Sequence, residues 1–256
     1  MDTADTQTAA ASAYPRVVSV PQLYFRQLLS GRDFAHNDPI ARQMVNFVYA
    51  IGDRSTGETL LVDPAYAVND LIDAVEADGM RVTGVLATHY HPDHVGGTMM
   101  GYSIEGISTL LGRCQCPIHI QADEAPWVQR TTGVSNTELV QHESGDVVTV
   151  GGIEIVLLHT PGHTPGSQCF LVQGRLVSGD TLFLEGCGRT DLPGSNPEQM
   201  FSSLQMLSAL PDDTIVFPGH MYSAPSSGSM AALREDNYVF KPRTQEAWMQ
   251  WFGGAN

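Results

Sequence analysis

The chain has 256 residues, enough for one large domain or two small ones, and its 42% hydrophobic content is ordinary for a globular protein. Its formal net charge is -15 although only 16% of residues are charged, so the acidity reflects a shortage of bases, and Lys241 is the single lysine. Such a surface repels phosphodiester backbones and anionic lipid. No window reaches the roughly 20 apolar residues of a membrane span. Nucleic acid and membrane are therefore excluded as expected partners, and a small-molecule substrate is left.

Residues 1–15 read as a frayed tail, since the first dozen carry aspartates and no arginine and fit neither a secretory nor a mitochondrial leader. Phe47–Ile51 and Glu58–Asp63 read as strands joined by a turn, with Asp63-Pro64 as a turn former of structural role. Leu71, Ile72, Val75 and Met80 mark an amphipathic helix. Val82–Ala87 is a short apolar stretch with the character of a buried strand, and Gly96-Gly97 predicts a turn into a helix. Cys114-x-Cys116 is too close for an ordinary disulfide, and with Cys169 and Cys187 it reads as reduced thiols in a cytoplasmic protein.

A second strand-rich half follows. Asp146–Val150 and Ile153–Leu158 flank Gly151-Gly152, and Cys169–Val172 and Arg175–Ser178 flank Gln173-Gly174, both hairpin signals. Asn196-Pro197 opens a helix with Gln199 placed for a capping box, and Leu204, Leu207 and Leu210 give its buried face. Thr214–Phe217 is one more strand. Strands followed by helix in each half predict one α/β domain over 16–256, a four-layer αββα sandwich.

The most informative run sits between the halves. Thr88-His-Tyr-His-Pro-Asp-His94 places three imidazoles and a carboxylate within six positions at the end of a buried strand. That crowding is costly unless a cation sits among them, and imidazole with carboxylate suits zinc or iron. Candidate donors recur at later strand ends: His163 in His159-Thr-Pro-Gly-His163, Asp180 in Ser178-Gly-Asp180, and His220 in Pro218-Gly-His220. Each signal is weak alone; the combination is strong.

This set, in this order, resembles the ligand set of the metallo-β-lactamase superfamily, over about residues 43 to 223. The string Gly179-Asp-Thr-Leu-Phe-Leu-Glu-Gly-Cys-Gly-Arg-Thr-Asp191 further resembles glyoxalase II (hydroxyacylglutathione hydrolase) and the persulfide dioxygenases. Aspartate at 180, where β-lactamases of the main zinc class carry cysteine, speaks against antibiotic hydrolysis. Histidine at 91, where flavodiiron proteins carry glutamate, speaks against a redox di-iron site. The resemblance implies His89, His91 and His163 on one metal and Asp93, His94 and His220 on a second. Asp180 would bridge them, and Asp93 and Asp180 would be the catalytic carboxylates. Two Zn²⁺ less Asp93, Asp180 and a bridging hydroxide leave a small positive charge facing an electron-rich carbonyl. Metal lowers the pKa of bound water from about 15.7 to around 7, so no Ser or Cys nucleophile is needed.

The leading expectation is a dinuclear zinc hydrolase of a thioester carried by a low-molecular-weight thiol. The alternative is a persulfide dioxygenase with one Fe(II) on His89, His163 and Asp180, and a non-catalytic metal-binding member ranks third. Arg189-Thr-Asp191 resembles the dioxygenases and the short bacterial glyoxalase II-like proteins. Arg189 would either organise its loop or meet a substrate carboxylate. The His94–His163 stretch is longer than either group requires, and its apolar extra part within 99–116 reads as a lid over the site or as a helix packed on the sandwich. His36, His119 and His142 read as surface or core residues, His159 as the orienter of its turn, and Cys187 as a packed small residue.

Overall fold

The computed structural model describes residues 20–252, so the tail expected at 1–15 lies outside the described residues. The first half contains, in chain order, β1 (Leu23–Leu29), α1 (Pro39–Met44), β2 (Phe47–Asp53), β3 (Glu58–Val62), α2 (Val68–Ala77), β4 (Arg81–Leu86) and the one-turn α3 (Pro92–Val95). A small hairpin, β5 (Gly97–Met99) and β6 (Tyr102–Ile104), is followed by α4 (Ile107–Leu111), β7 (Ile118–Gln121), α5 (Ala125–Thr132) and β8 (Leu139–His142). The strands form a six-stranded sheet in the order β1-β2-β3-β4-β7-β8. Its first three strands form an antiparallel meander, and β3, β4, β7 and β8 run parallel. Parallel neighbours need crossovers, which α2, α4 and α5 supply.

The second half contains β9 (Val147–Val150), β10 (Ile153–His159), β11 (Gln168–Val172), β12 (Arg175–Gly179) and a two-residue ladder, β13 (Leu182–Phe183) with β14 (Gly186–Cys187). Then come α6 (Pro197–Ser208), β15 (Ile215–Pro218), β16 (Gly228–Ser229), α7 (Met230–Asp236) and α8 (Gln245–Phe252). Here the sheet order is β16-β15-β12-β11-β10-β9. Both hairpins read from the sequence are present. Asn196 caps α6 by accepting from the backbone N–H groups of Glu198 and Gln199 (2.9 and 3.0 Å).

Side-chain alternation explains the layering. Along β2, Phe47, Tyr49 and Ile51 point to one side and pack with Ile155, Leu157, Phe170 and Val177 of the other sheet. Val48 and Ala50, between them, join Leu71, Ile72 and Val75 of α2 in a second core. Every residue of β2 is buried, as befits a strand covered on both faces. A third core lies outside the second sheet, where Leu176 and Val216 meet Met200, Leu204 and Trp248. Helix, sheet, sheet, helix is the expected four-layer order.

Backbone and hydroxyl bonds stitch the two sheets together at the end of β2 that begins with Phe47. Phe47 N–H donates to Gly219 C=O (2.8 Å), Met221 N–H to Val45 C=O (3.0 Å), and the buried Tyr49 hydroxyl to Pro218 C=O (2.5 Å). That seam is where the histidines collect. Among the described residues no helix is long and apolar enough to cross a membrane, and all four cysteines are free thiols.

Candidate metal centre

The first four donors ride on one loop. After β4, Thr88 turns away from the sheet and is pinned by Asp63, which accepts from Thr88 N–H (2.7 Å) and Thr88 Oγ1–H (2.6 Å). His91 is the N-cap of α3, Pro92 its first residue, and the single turn carries Asp93 and His94 inward. Gly96 ends the turn at a φ of 86°, and Cβ there would lie 2.7 Å from the Gly106 backbone. The helix expected after Gly96-Gly97 is therefore absent: the one-turn helix precedes the glycines, and the β5–β6 hairpin follows them. The reason is local, since the left-handed Gly96 redirects the chain into an extended path.

The other three donors come from strand ends. His163 follows β10 in a turn closed by His159, whose Nε2–H donates to Pro165 C=O (2.9 Å). Asp180 follows β12, where Ser178 Oγ donates to Leu182 C=O (2.6 Å) and shapes the corner. His220 follows β15. A Cβ on the preceding Gly219 would stand 2.4 Å from Asp180 Oδ1, so only glycine lets that carboxylate sit there.

These seven residues form two adjoining groups. Nδ1 of His91 is 3.0 Å from both His89 Nε2 and His163 Nε2. His94 Nε2 and His220 Nε2 are 3.2 Å apart, and Asp93 Oδ2 lies 3.6 and 3.4 Å from them. Asp180 stands between the groups, with Oδ2 at 3.7 Å from His163 Nε2 and 3.4 Å from His220 Nε2, and Oδ1 at 3.4 Å from His94 Nε2.

The outer ring nitrogens fix the tautomers. His163 Nδ1 lies 2.9 Å from Arg189 C=O and His220 Nδ1 2.7 Å from Met44 C=O. His94 Nδ1 meets Asp63 Oδ2 at 2.9 Å. His89 Nδ1 meets Thr88 Oγ1 at 2.9 Å, whose own hydrogen goes to Asp63. All four are acceptors, so each Nδ1 carries the proton and each Nε2 turns a lone pair inward. Lone pairs facing one another at such distances require a positive charge between them. Donors of a tetrahedral ion with ligand bonds of about 2.0–2.1 Å stand roughly 3.3 Å apart, close to what these nitrogens show.

The electrostatics agree. Burial and the imidazoles of His94 and His91 push His89 well below the ordinary histidine range, and burial with His163 pushes His91 down to about 4. Burial would also lower His94 and His220, but the Asp180 and Asp93 carboxylates hold both above it. Burial would raise Asp180, yet His220 and His94 hold it well below the carboxylate range. The field that draws protons to one group is the field that draws a cation. Asp180 Oδ1 is buried with no hydrogen-bond partner, an atom left free for a ligand bond. The donor set fits a metal centre.

Three supporting residues were not assigned from the sequence. Asp63, read as a turn former, orients His94 directly and His89 through Thr88, and it adopts a positive φ of 53° to do so. Asn46 Nδ2 donates to Asp93 Oδ2 (3.2 Å) and its Oδ1 accepts from the buried Tyr66 hydroxyl (3.2 Å). Glu124, fully buried, accepts from Tyr90 N–H and Gly166 N–H (2.7 Å each), tying the loop of His89 and His91 to the turn of His163. Burial pushes its carboxyl up to about 7, against the pull of those donors and of Thr164. Only Asp63 left a sequence signal, an acid at a strand end before proline.

The centre opens into a cleft of about 720 Å³. Arg189 lines it, but its guanidinium is clamped on Asp191 by two bonds of 2.9 Å. Cys187 also lines it, half-buried, with burial pushing its thiol up to about 12, so it is a neutral group. Of the segment 99–116, the cleft is lined by Met99 and Met100, whereas Ile104, Ile107, Leu110 and Leu111 belong to the core beneath α2. His36 is exposed, and His119 pairs with His142 (2.9 Å) on β7 and β8.

The description "Metallo-beta-lactamase superfamily" matches residues 42–220, which run from α1 to the last donor. A hydroxyacylglutathione hydrolase of Rhodopseudomonas palustris is 36% identical over 207 residues, 80% of this chain and 74% of the relative. A probable polyketide biosynthesis zinc-dependent hydrolase, BaeB of Bacillus velezensis, is 30% identical over 212 residues, 82% of this chain and 88% of the relative. Among solved structures, ETHE1 from Myxococcus xanthus superposes with a TM-score of 0.73 at 29% identity, covering 91% of each chain. With the αββα layers and seven donors at its sheet seam, this chain belongs to the metallo-beta-lactamase superfamily.

Proposed function

We propose that this chain is a dinuclear zinc hydrolase that cleaves a thioester of a low-molecular-weight thiol. The observation that carries the reading is the completeness of both donor groups around one shared carboxylate. His89, His91 and His163 would hold one ion and Asp93, His94 and His220 the other, with Asp180 on both. The hydrolase names of the two sequence relatives support the reaction class. When bound, such ions supply Lewis acidity and a hydroxide nucleophile at neutral pH.

The chain's own residues do the positioning. Asp63 and the carbonyls of Arg189 and Met44 keep four imidazoles in the tautomer a ligand needs. Asn46 holds Asp93 by Oδ2. The hydrophobic cleft walls shed water around the reacting carbonyl. On this reading the lid role assigned to 99–116 narrows to the β5–β6 hairpin, Arg189 organises its loop through Asp191, and 16–256 acts as one unit. The free thiols fit a cytoplasmic enzyme.

A second reading is a persulfide dioxygenase with one Fe(II) on His89, His163 and Asp180. It is favoured by the likeness to ETHE1 over 91% of both chains. On that reading Asp93, His94 and His220 hold no metal, and the donor set itself does not decide between the two. Metal identity and stoichiometry, measured on protein purified anaerobically without chelators, separate the two. Near two zinc ions per chain with turnover of a thioester panel supports the hydrolase. Near one iron with oxygen uptake on a persulfide overturns it.

A further inference from the structure

We propose that the cleft selects thioesters with an apolar acyl group on an uncharged carrier arm, the β5–β6 hairpin tip and Glu185 being the selecting elements. The proposal rests on the hydrolase reading above. Three observations carry it.

The first is the composition of the cleft wall. Its apolar part is Met44, Met99, Met100, Phe183, Leu192 and Tyr222, set among Thr98, Glu185 and Arg189. Phe183 and Tyr222 pack edge to face at 5.1 Å, and Tyr222 stacks on the donor His220 at 4.7 Å. Apolar side chains therefore stand directly beside the donor His220 and along part of the wall. Thioether side chains are flexible and polarisable, suited to acyl groups of varied shape.

The second is the hairpin tip. Met99 pairs with Tyr102, so Met100-Gly101 is a two-residue loop, with φ of 50° and 83°. Such a turn takes Asn, Asp or Gly at its first position, because a side chain is strained there. This chain has methionine instead, 84% exposed. Its exposed side chain lies on the cleft wall. Backbone strain of this kind collects at ligand sites.

The third is charge. Arg189 is the one Lys or Arg on the cleft wall, and Asp191 neutralises it. Glu185 is on the same wall and has no ion pair among the described residues. A carrier of net negative charge, such as glutathione, meets Glu185 and no unpaired Lys or Arg on this wall. An uncharged arm meets no such penalty.

The experiment compares acetyl, butyryl and hexanoyl thioesters of N-acetylcysteamine with the same acyl groups on glutathione, using metal-loaded enzyme. On the uncharged carrier kcat/KM rises about threefold to fourfold per added methylene. The glutathione thioesters run about tenfold lower. Met100→Asn, which suits the left-handed turn, lowers the hexanoyl-to-acetyl ratio about fivefold. Glu185→Lys raises the glutathione-to-N-acetylcysteamine ratio about tenfold. A flat chain-length series with glutathione preferred overturns the proposal. Calorimetry with S-hexyl-N-acetylcysteamine and S-hexylglutathione, which cannot be hydrolysed, separates the two levels of the argument. Tighter binding of the uncharged thioether without turnover of any thioester sinks the hydrolase reading and keeps the selectivity. Tighter binding of S-hexylglutathione sinks the selectivity whatever is turned over.

Discussion

The two halves of the molecule bring donors to the seam by different means. The first supplies His89, His91, Asp93 and His94 from one loop, held by the buried acids Asp63 and Glu124. The second supplies His163, Asp180 and His220 one at a time from three strand ends, held by backbone carbonyls and by close packing at Gly219. A loop has no ladder to fix it, so its order must come from side-chain hydrogen bonds. A strand end inherits its order from the sheet, and the side chain needs only space and one acceptor.

Four substitutions test that contrast. The largest effect belongs to Asp180→Ala, which removes the carboxylate shared by both groups. Turnover falls below detection and metal content drops by at least one ion per chain, while far-ultraviolet circular dichroism stays native; retained turnover would remove Asp180 from the mechanism. Next is Gly219→Ala, whose methyl group collides with Asp180. Overpacking of this kind costs about 1–3 kcal/mol. Thermal unfolding and metal content should fall together, as expected where geometry is set by packing.

Asp63→Asn probes the loop side. The amide loses one acceptor of the three bonds Asp63 makes, and metal affinity should weaken about 10–100-fold with a smaller change in melting temperature. If competition with a chelator shows no weakening, α3 alone orders the loop and the contrast between the halves disappears. Glu124→Gln is the mildest. Its amide must face one of two N–H donors, leaving a buried group unpaired at about 1–3 kcal/mol.

The same residue gives a pH signature. Its folded value near 7 lies above the ordinary glutamate value of 4.5. Glu124 thus holds its proton longer folded than unfolded, so its contribution to stability is complete below about 4.5 and is lost as pH rises through about 7. The deficit of Glu124→Gln relative to the parent should therefore shrink between pH 5 and pH 8. A deficit that grows would show that the carboxylate, not the acid, is the form the fold prefers.

Much of this was legible in the sequence because the donors are chemically conspicuous. All seven lie together at the seam, and the hairpins at Gly151-Gly152 and Gln173-Gly174 formed where turn chemistry placed them. Less legible were β1, whose alternation is interrupted by Arg26-Gln27, and β7 and β8, which are only four residues each. The supporting residues were harder still. Asn46 and Glu124 lie 43 or fewer residues from the histidine run in sequence and look like any buried-loop Asn or Glu; only the folded sheets bring them to it. Gln199, read as half of a capping box, supplies only its backbone N–H to Asn196.

The seam has a thermodynamic consequence. An ion held by donors from both sheets exists only while the sheets are docked, and the unfolded chain offers no equivalent site. Metal therefore acts as a reversible clasp on the sandwich, raising stability by mass action, by about 4 kcal/mol when free ion exceeds its dissociation constant a thousandfold. Chelation then does more than stop the chemistry. It loosens the joint between the layers, so amide exchange should quicken first at N–H groups that cross it, such as those of Phe47, Met221 and Gln168.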